Sequence, residues 1–173
     1  KFEQGVVELF DPYQFTEEAF HSVHYLQTQA ENIYQQLGAQ LVELSLGRQK
    51  ISATRFAVFA PNASSCSVIG DFNGWDGRCH PMEKTDCGHF VLVVPSVKAG
   101  DKYKFELKDQ TGNILSHKSD PIGFQQEQYP SFASVVYDHH EYQWQDLTWM
   151  NRTKADPLTQ PMSIYEVHLG SWR

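Results

Sequence analysis

The stretch KYKFELK, Lys102 to Lys108, alternates without interruption: Tyr103, Phe105 and Leu107 fall on one side, and Lys102, Lys104, Glu106 and Lys108 on the other. Successive side chains of an extended backbone point to opposite faces, so this is a strand with one face in a core and one in water. The turn residues Asp109-Gln110-Thr111-Gly112-Asn113 follow and lead back into Ile114–Lys118 as a hairpin. Upstream, Ile51–Ala60 sets Phe56, Val58 and Ala60 on one face, Ser65–Ile69 forms a second run and His89–Val94 a third; downstream, Ala133–Tyr137 supplies a last strand. About seven short strands separated by Gly, Pro, Asn and Asp imply an all-β fold, an immunoglobulin-like antiparallel β-sandwich.

Ahead of these strands the apolar period is helical. Thr16, Glu17 and Glu18 have the form of an N-cap and acidic first turn, and Phe20, Val23, Leu26, Ala30, Ile33 and Leu37 continue the stripe to Gly38. The most regular part is Thr28–Leu37, so the sandwich is preceded by a short N-terminal helical segment. Asp138 to Pro161 is polar and without period, a linker with Tyr142, Trp144 and Trp149 to brace it. The expected organisation is therefore residues 1–48 helical or extended, 49–138 sandwich, 139–162 linker, and 163–173 a separate apolar-patterned strand.

With 173 residues, 40% of them hydrophobic, the chain can bury one core of ordinary domain size. A formal charge of −7, with no basic run to override it, argues against nucleic acid or an anionic membrane surface as partner. No apolar stretch approaches the roughly 20 residues that span a bilayer, and KFEQGVVELF lacks a signal-peptide pattern, so the expected location is the cytosol. Three irregularly spaced cysteines, Cys66, Cys79 and Cys87, make a poor disulfide framework and fit reduced thiols there.

Catalytic chemistry is hard to place. Cys79, His80, Cys87 and His89 are zinc-type ligands, but they are adjacent or widely split where structural sites use tight spacings, so no metal is expected. No nucleophile elbow, phosphate loop or carboxylate pair stands out, and no cofactor is implied. The loop GDFNGWDG, Gly70 to Gly77, is different. Asp71, Asn73, Asp76 and the glycines suffice to turn the chain, so Trp75 either folds back as a lid on the core or stands out as a flat plate. A plate would suit a sugar ring, whose C–H face rests on an indole while Asn and Lys bond its hydroxyls.

The stretches FAVFAPNASSCSVIGDFNGWDGRCHPMEK, GDKYKFELKDQTGN and HKSDPIGF resemble the sandwich module that precedes the catalytic barrel in glycogen branching enzymes, isoamylases and related amylolytic enzymes. A version also serves as the glycogen-binding domain of the AMP-activated kinase β subunit. SIYEVHLGSWR, Ser163–Arg173, resembles the opening barrel strand of glycogen branching enzymes in particular, and IYQQLGAQ, Ile33–Gln40, resembles the segment that introduces their module.

The resemblance implies a partner, α-glucan such as glycogen or maltooligosaccharides, with Trp75, Lys104 and Asn73 as candidate binding residues. The kinase module has a second Trp in the hairpin where this chain reads Thr111-Gly112-Asn113-Ile114, so one aromatic plate of that arrangement is missing. For the whole enzyme it implies retaining transfer of an α-1,4-linked segment to a 6-hydroxyl through a covalent intermediate, using two carboxylates at the ends of barrel strands. A barrel needs some 250 residues. The resemblance therefore assigns no catalytic residue to this chain and makes its own catalytic barrel a second partner. The alternative is a stand-alone glucan-binding module. Ser163–Arg173 favours the enzyme, because a binding module has no use for a further strand; without barrel partners that tail is expected to be extended, either loosely ordered or held by a surface groove of the sandwich, and not paired in its core.

Overall fold

The computed structural model describes residues 33–46, 49–151, 161 and 163–171. Two units are distinguished, Lys1–Asp138 and His139–Arg173. Within the described part of the first unit lie eight strands: β1 (Gly38–Leu46), β2 (Gln49–Phe59), β3 (Ser65–Gly70), β4 (Glu83–Lys84), β5 (His89–Pro95), β6 (Lys102–Lys108), β7 (Gln125–Gln126) and β8 (Ser134–Val135). They form two antiparallel sheets of order β1-β2-β5-β4 and β3-β6-β8-β7, a β-sandwich.

The alternation read from β6 sets the inner face of the second sheet. Tyr103 and Phe105 are each 1% exposed, and they meet Phe56 of β2, which is fully buried. The rings pack edge on, Phe56 to Tyr103 at 4.9 Å and 63°, Tyr103 to Phe105 at 5.8 Å and 76°, the arrangement aromatic quadrupoles favour. Val58, Phe90, Leu92, Cys66 and Val68 complete this shared core. The Cys66 thiol, pushed up to about 12 by burial, behaves there as a small hydrophobe against Met82.

Tyr103 also carries a polar anchor. Its hydroxyl donates to Asp120 Oδ2 at 2.6 Å, Ile122 N–H donates to Asp120 Oδ1 at 2.8 Å, and Asp120 N–H donates to Ser134 Oγ at 2.8 Å. A carboxyl only 4% exposed is thereby satisfied on both oxygens, and the segment Asp120–Phe124 is tied to the second sheet.

The sheets differ from the sequence reading in containing the two-residue strands β4 and β7, which it lacks, and at three longer segments. Gly38–Leu46, assigned above to the N-terminal segment, is an edge strand paired along its whole length with β2. Ala39 and Leu41 face the shared core, while Val42 and Leu44 join Ile51, Ala53 and Val93 on the outer side. With apolar residues on both faces, no clean alternation survives. Ile114–Lys118 is not a continuous strand; it touches β6 through isolated bridges, Lys108 to Ile114 and Phe105 to Lys118. The final strand shrinks from Ala133–Tyr137 to Ser134–Val135.

Of the helical segment, Ile33–Gln36 (α1) is a single turn followed by Gly38 at φ 84, a left-handed position suited to glycine. Arg55 Nη2 donates to the carbonyls of Gln35 and Gln36, closing that helix end. The earlier part of the helix reading, residues 16–32, lies outside the described residues. In the second unit, Leu147–Met150 (α2) is one helical turn, Tyr142 stands edge on to Trp144 at 5.0 Å, and Leu169–Ser171 forms a 3-10 turn. No strand is formed among the described residues of Ser163–Ser171.

Candidate functional site

The loop after β3 is built by Asn73. Its Oδ1 accepts from Gly70 N–H at 2.9 Å, and its Nδ2 donates to the Val68 carbonyl at 3.0 Å and meets His80 Nδ1 at 2.8 Å. The Gly70 bond fixes which end of the amide is oxygen, so Nδ2 faces the imidazole. His80 Nδ1 must therefore accept, which puts the ring proton on Nε2 and requires a neutral ring. The returning chain is stitched to β3 by Val68 N–H to the His80 carbonyl and Met82 N–H to the Cys66 carbonyl.

The two aromatic residues of the loop part company. Phe72 turns inward, its ring 6.0 Å from Phe56 and 5.6 Å, edge on, from His80. It closes the end of the core, the lid role weighed above for Trp75. Trp75 is half-buried and stands on strained backbone. Gly74 and Trp75 both have φ of 63°, and Asp76 N–H bonds the Asn73 carbonyl, the combination of a type I′ turn that glycine and asparagine favour. A tryptophan there costs roughly 1 kcal/mol. Its indole Nε1–H donates to Asp71 Oδ1 at 3.1 Å, which orients the ring.

Lys104 reaches this ring from β6. It projects from the outer face of the second sheet, opposite Ile69 on β3, with Nζ 5.9 Å from the Trp75 ring centre. Of the three expected residues, Trp75 and Lys104 are thus brought together, whereas the amide of Asn73 is taken up by the turn. A residue the sequence reading passed over joins them: Phe132, 59% exposed, with its ring centre 4.7 Å from Lys104 Nζ. The signal was available in QYPSF, an aromatic set among turn residues as in GDFNGWDG. Around this centre Lys102 pairs with Glu127 at 2.7 Å and His117 with Glu106 at 3.4 Å. The face therefore offers apolar plates and a cationic donor, a surface for a neutral polyhydroxyl ligand.

The zinc-type residues have other surroundings. His80 holds Asn73, His89 packs against Phe59 at 4.9 Å, Cys79 is exposed, and no group of three or more metal-ligating side chains gathers among the described residues.

The loop's dependence on neutral His80 gives a pH prediction. Burial lowers the His80 and His89 imidazoles from the usual 6.5. The unfolded chain then binds protons that the folded chain resists, so stability is lost as pH falls through 6.5 toward the folded values. Asp120 acts oppositely: burial raises its carboxyl above 3.8, so its contribution is lost as pH rises from 3.8 through its folded value. The expected result is a melting temperature that falls between about pH 7.5 and about 5.5. His80→Gln, measured by circular dichroism over the same range, should flatten that fall; an unchanged slope would remove His80 from the account.

Residues 36–123 match the family described as carbohydrate-binding module 48 (isoamylase N-terminal domain). Over 98% of the chain, 64% of residues are identical to the 1,4-alpha-glucan branching enzyme GlgB of Pseudoalteromonas atlantica and 48% to that of Photobacterium profundum. The matched parts are 24% and 23% of those proteins, so the chain spans about a quarter of the length of the curated relatives it matches. Among solved structures, a Klebsiella pneumoniae pullulanase complexed with maltotriose aligns with a TM-score of 0.45 and 22% identity, covering 59% of this chain and 9% of that one. Among the described residues no helix is long and apolar enough to cross a membrane.

Proposed function

The chain belongs to the carbohydrate-binding module 48 family, isoamylase N-terminal domain, and from that premise we propose that it is the non-catalytic N-terminal part of a retaining 1,4-α-glucan branching enzyme. The observation that carries this reading is 64% identity over 98% of the chain to an enzyme of that name. The whole enzyme would cleave an α-1,4 linkage and transfer the segment to a 6-hydroxyl, its two carboxylates standing on the catalytic barrel that is this module's partner. The module's share is to hold α-glucan on the outer face of its second sheet. Trp75 is the plate, Lys104 the hydrogen-bond donor, and Asn73 the residue that fixes the turn beneath the plate. A net charge of −7 supports a neutral ligand over nucleic acid or an anionic membrane. The irregular spacing of Cys66, Cys79 and Cys87, a poor disulfide framework, supports a cytosolic setting.

A face of so few contacts binds weakly, with a dissociation constant on the order of a millimolar. Weak binding still serves a polymer, because tethering raises the concentration of chain ends at an active site nearby. Titration of the 173-residue chain with maltoheptaose, followed by tryptophan fluorescence, should saturate in that range, and Lys104→Ala should weaken it about three- to tenfold. No saturation at any accessible concentration would sink the glucan reading. Detectable α-1,6 transfer by the chain alone would sink the non-catalytic one.

A further inference from the structure

We infer that Phe132 is a second stacking surface of this face, standing across Lys104 from Trp75 and supplying the plate that the β6 hairpin lacks. The inference rests on the glucan reading above and deepens it. Strand order β3-β6-β8 makes β6 the middle strand, so Lys104 is flanked by the loop after β3 on one side and the loop before β8 on the other. Each loop contributes one ring to the same ammonium, Trp75 at 5.9 Å and Phe132 at 4.7 Å. The two ring centres are therefore no more than about 11 Å apart. Rings no farther apart than that can be touched by one oligosaccharide laid across Lys104.

Core packing does not account for Phe132, whose surface is 59% exposed and which is not part of the shared core. Its backbone is nevertheless held on both sides. Ser119 Oγ donates to the Phe132 carbonyl. The carbonyl of the next residue, Ala133, accepts from Glu127 N–H at 2.9 Å, and its N–H donates to the Glu127 carboxylate at 3.2 Å, the carboxylate that is the partner of Lys102. An exposed ring on a fixed backbone is preorganised for contact, since little freedom is left to lose when a ligand rests on it. The ammonium between the rings orients both and stays within reach of hydroxyls on a chain laid across them. The ligand class is a run of uncharged sugar rings with apolar C–H faces.

The test compares maltoheptaose affinity, in the full 173-residue chain, of Phe132→Ala, Phe132→Leu, Phe132→Trp, Trp75→Ala and the double variant Lys104→Ala/Phe132→Ala. Folding is checked by circular dichroism. Phe132→Ala and Phe132→Leu should both weaken binding about three- to tenfold, because leucine keeps the apolar volume but not the flat face. Phe132→Trp should restore it. Adding Phe132→Ala to Lys104→Ala should weaken binding further, since a plate touches sugar whether or not the lysine is present. No added loss in the double variant would reduce Phe132 to a positioning residue for Lys104 and overturn the plate. Wild-type affinity in Phe132→Leu alongside a loss in Trp75→Ala would overturn the plate and leave the glucan face standing. Wild-type protein that binds no maltoheptaose would overturn both. Should Phe132→Ala fail to fold, the leucine and tryptophan variants decide.

Discussion

Gly70→Ala is expected to lower the melting temperature of the sandwich by about 10 to 20 °C, or to prevent cooperative folding altogether. The reason is space. Gly70 has φ of −176°, extended backbone open to any residue, but a Cβ built there would lie 2.2 Å from the Lys102 carbonyl oxygen and 2.6 Å from the Phe72 ring. Gly70 pairs with Tyr103 in the β3–β6 register, so the obstructing carbonyl belongs to a paired strand whose Tyr103 and Phe105 pack with Phe56 of β2. Phe72 is hemmed in by Phe56 and His80. Relief on one side moves a strand and on the other reopens the core. Overpacking against backbone should cost about 3 kcal/mol, a large share of the 5–15 kcal/mol that holds an ordinary domain together. Gly77→Ala is the instructive contrast. Its Cβ would meet the Glu106 carboxylate at 2.3 Å, an equally close approach on paper, but the obstacle is the end of a flexible side chain. That variant should lose no more than the Glu106–His117 contact and a few degrees. Thermal unfolding of the two by calorimetry checks the pair, and equal losses would show that strand β6 yields more readily than its pairing implies.

How far the fold could be read from the chain follows from how each strand is buried. β6, with one face in the core and lysines on the other, announces its faces directly, and Lys102–Lys108 is found at the residues expected. β5 is buried on both faces, yet its unbroken apolar run, FVLVV, Phe90 to Val94, still marks a strand. β1 is buried in patches on both faces with Gln40, Glu43 and Ser45 between them, and neither pattern emerges. Ile114–Lys118 has strand-like residues, yet its backbone meets β6 at two isolated bridges and forms no continuous ladder. The site shows the same division. Turn chemistry revealed the loop Gly70–Gly77 and an aromatic without a structural excuse, but the choice of ring that closes the core, Phe72 and not Trp75, depends on the direction each side chain takes from a turn with two left-handed residues. Phe132 is 28 residues from Lys104 in the chain and reaches it only because β8 lies beside β6. That adjacency is a property of the sheet order, and no local pattern carries it.

Trp75→Gly should separate binding from folding more cleanly than the usual alanine variant. At φ of 63° beside Gly74 in the same conformation, position 75 is one that glycine occupies without strain and other residues do not. Replacing the tryptophan therefore returns roughly 1 kcal/mol of backbone strain. Against that stand the loss of the half-buried ring and of the exposed Nε1–H bond to Asp71. With Phe72 already closing the core, these terms should nearly cancel, and the melting temperature should stay within a few degrees of wild type. Glucan affinity should fall by about tenfold or more, since the variant removes the broader of the two rings and leaves Lys104 with Phe132 alone. Were the indole instead a lid, its removal would cost about 3 to 5 kcal/mol, as for other large aromatic deletions, far beyond the strain recovered. Calorimetry and maltoheptaose titration on one preparation decide between them. Preserved melting with lost binding marks a plate, while a collapsed melting transition marks a lid. Preserved melting with wild-type binding would remove Trp75 from the glucan face, and with it the reason for a strained tryptophan at this turn.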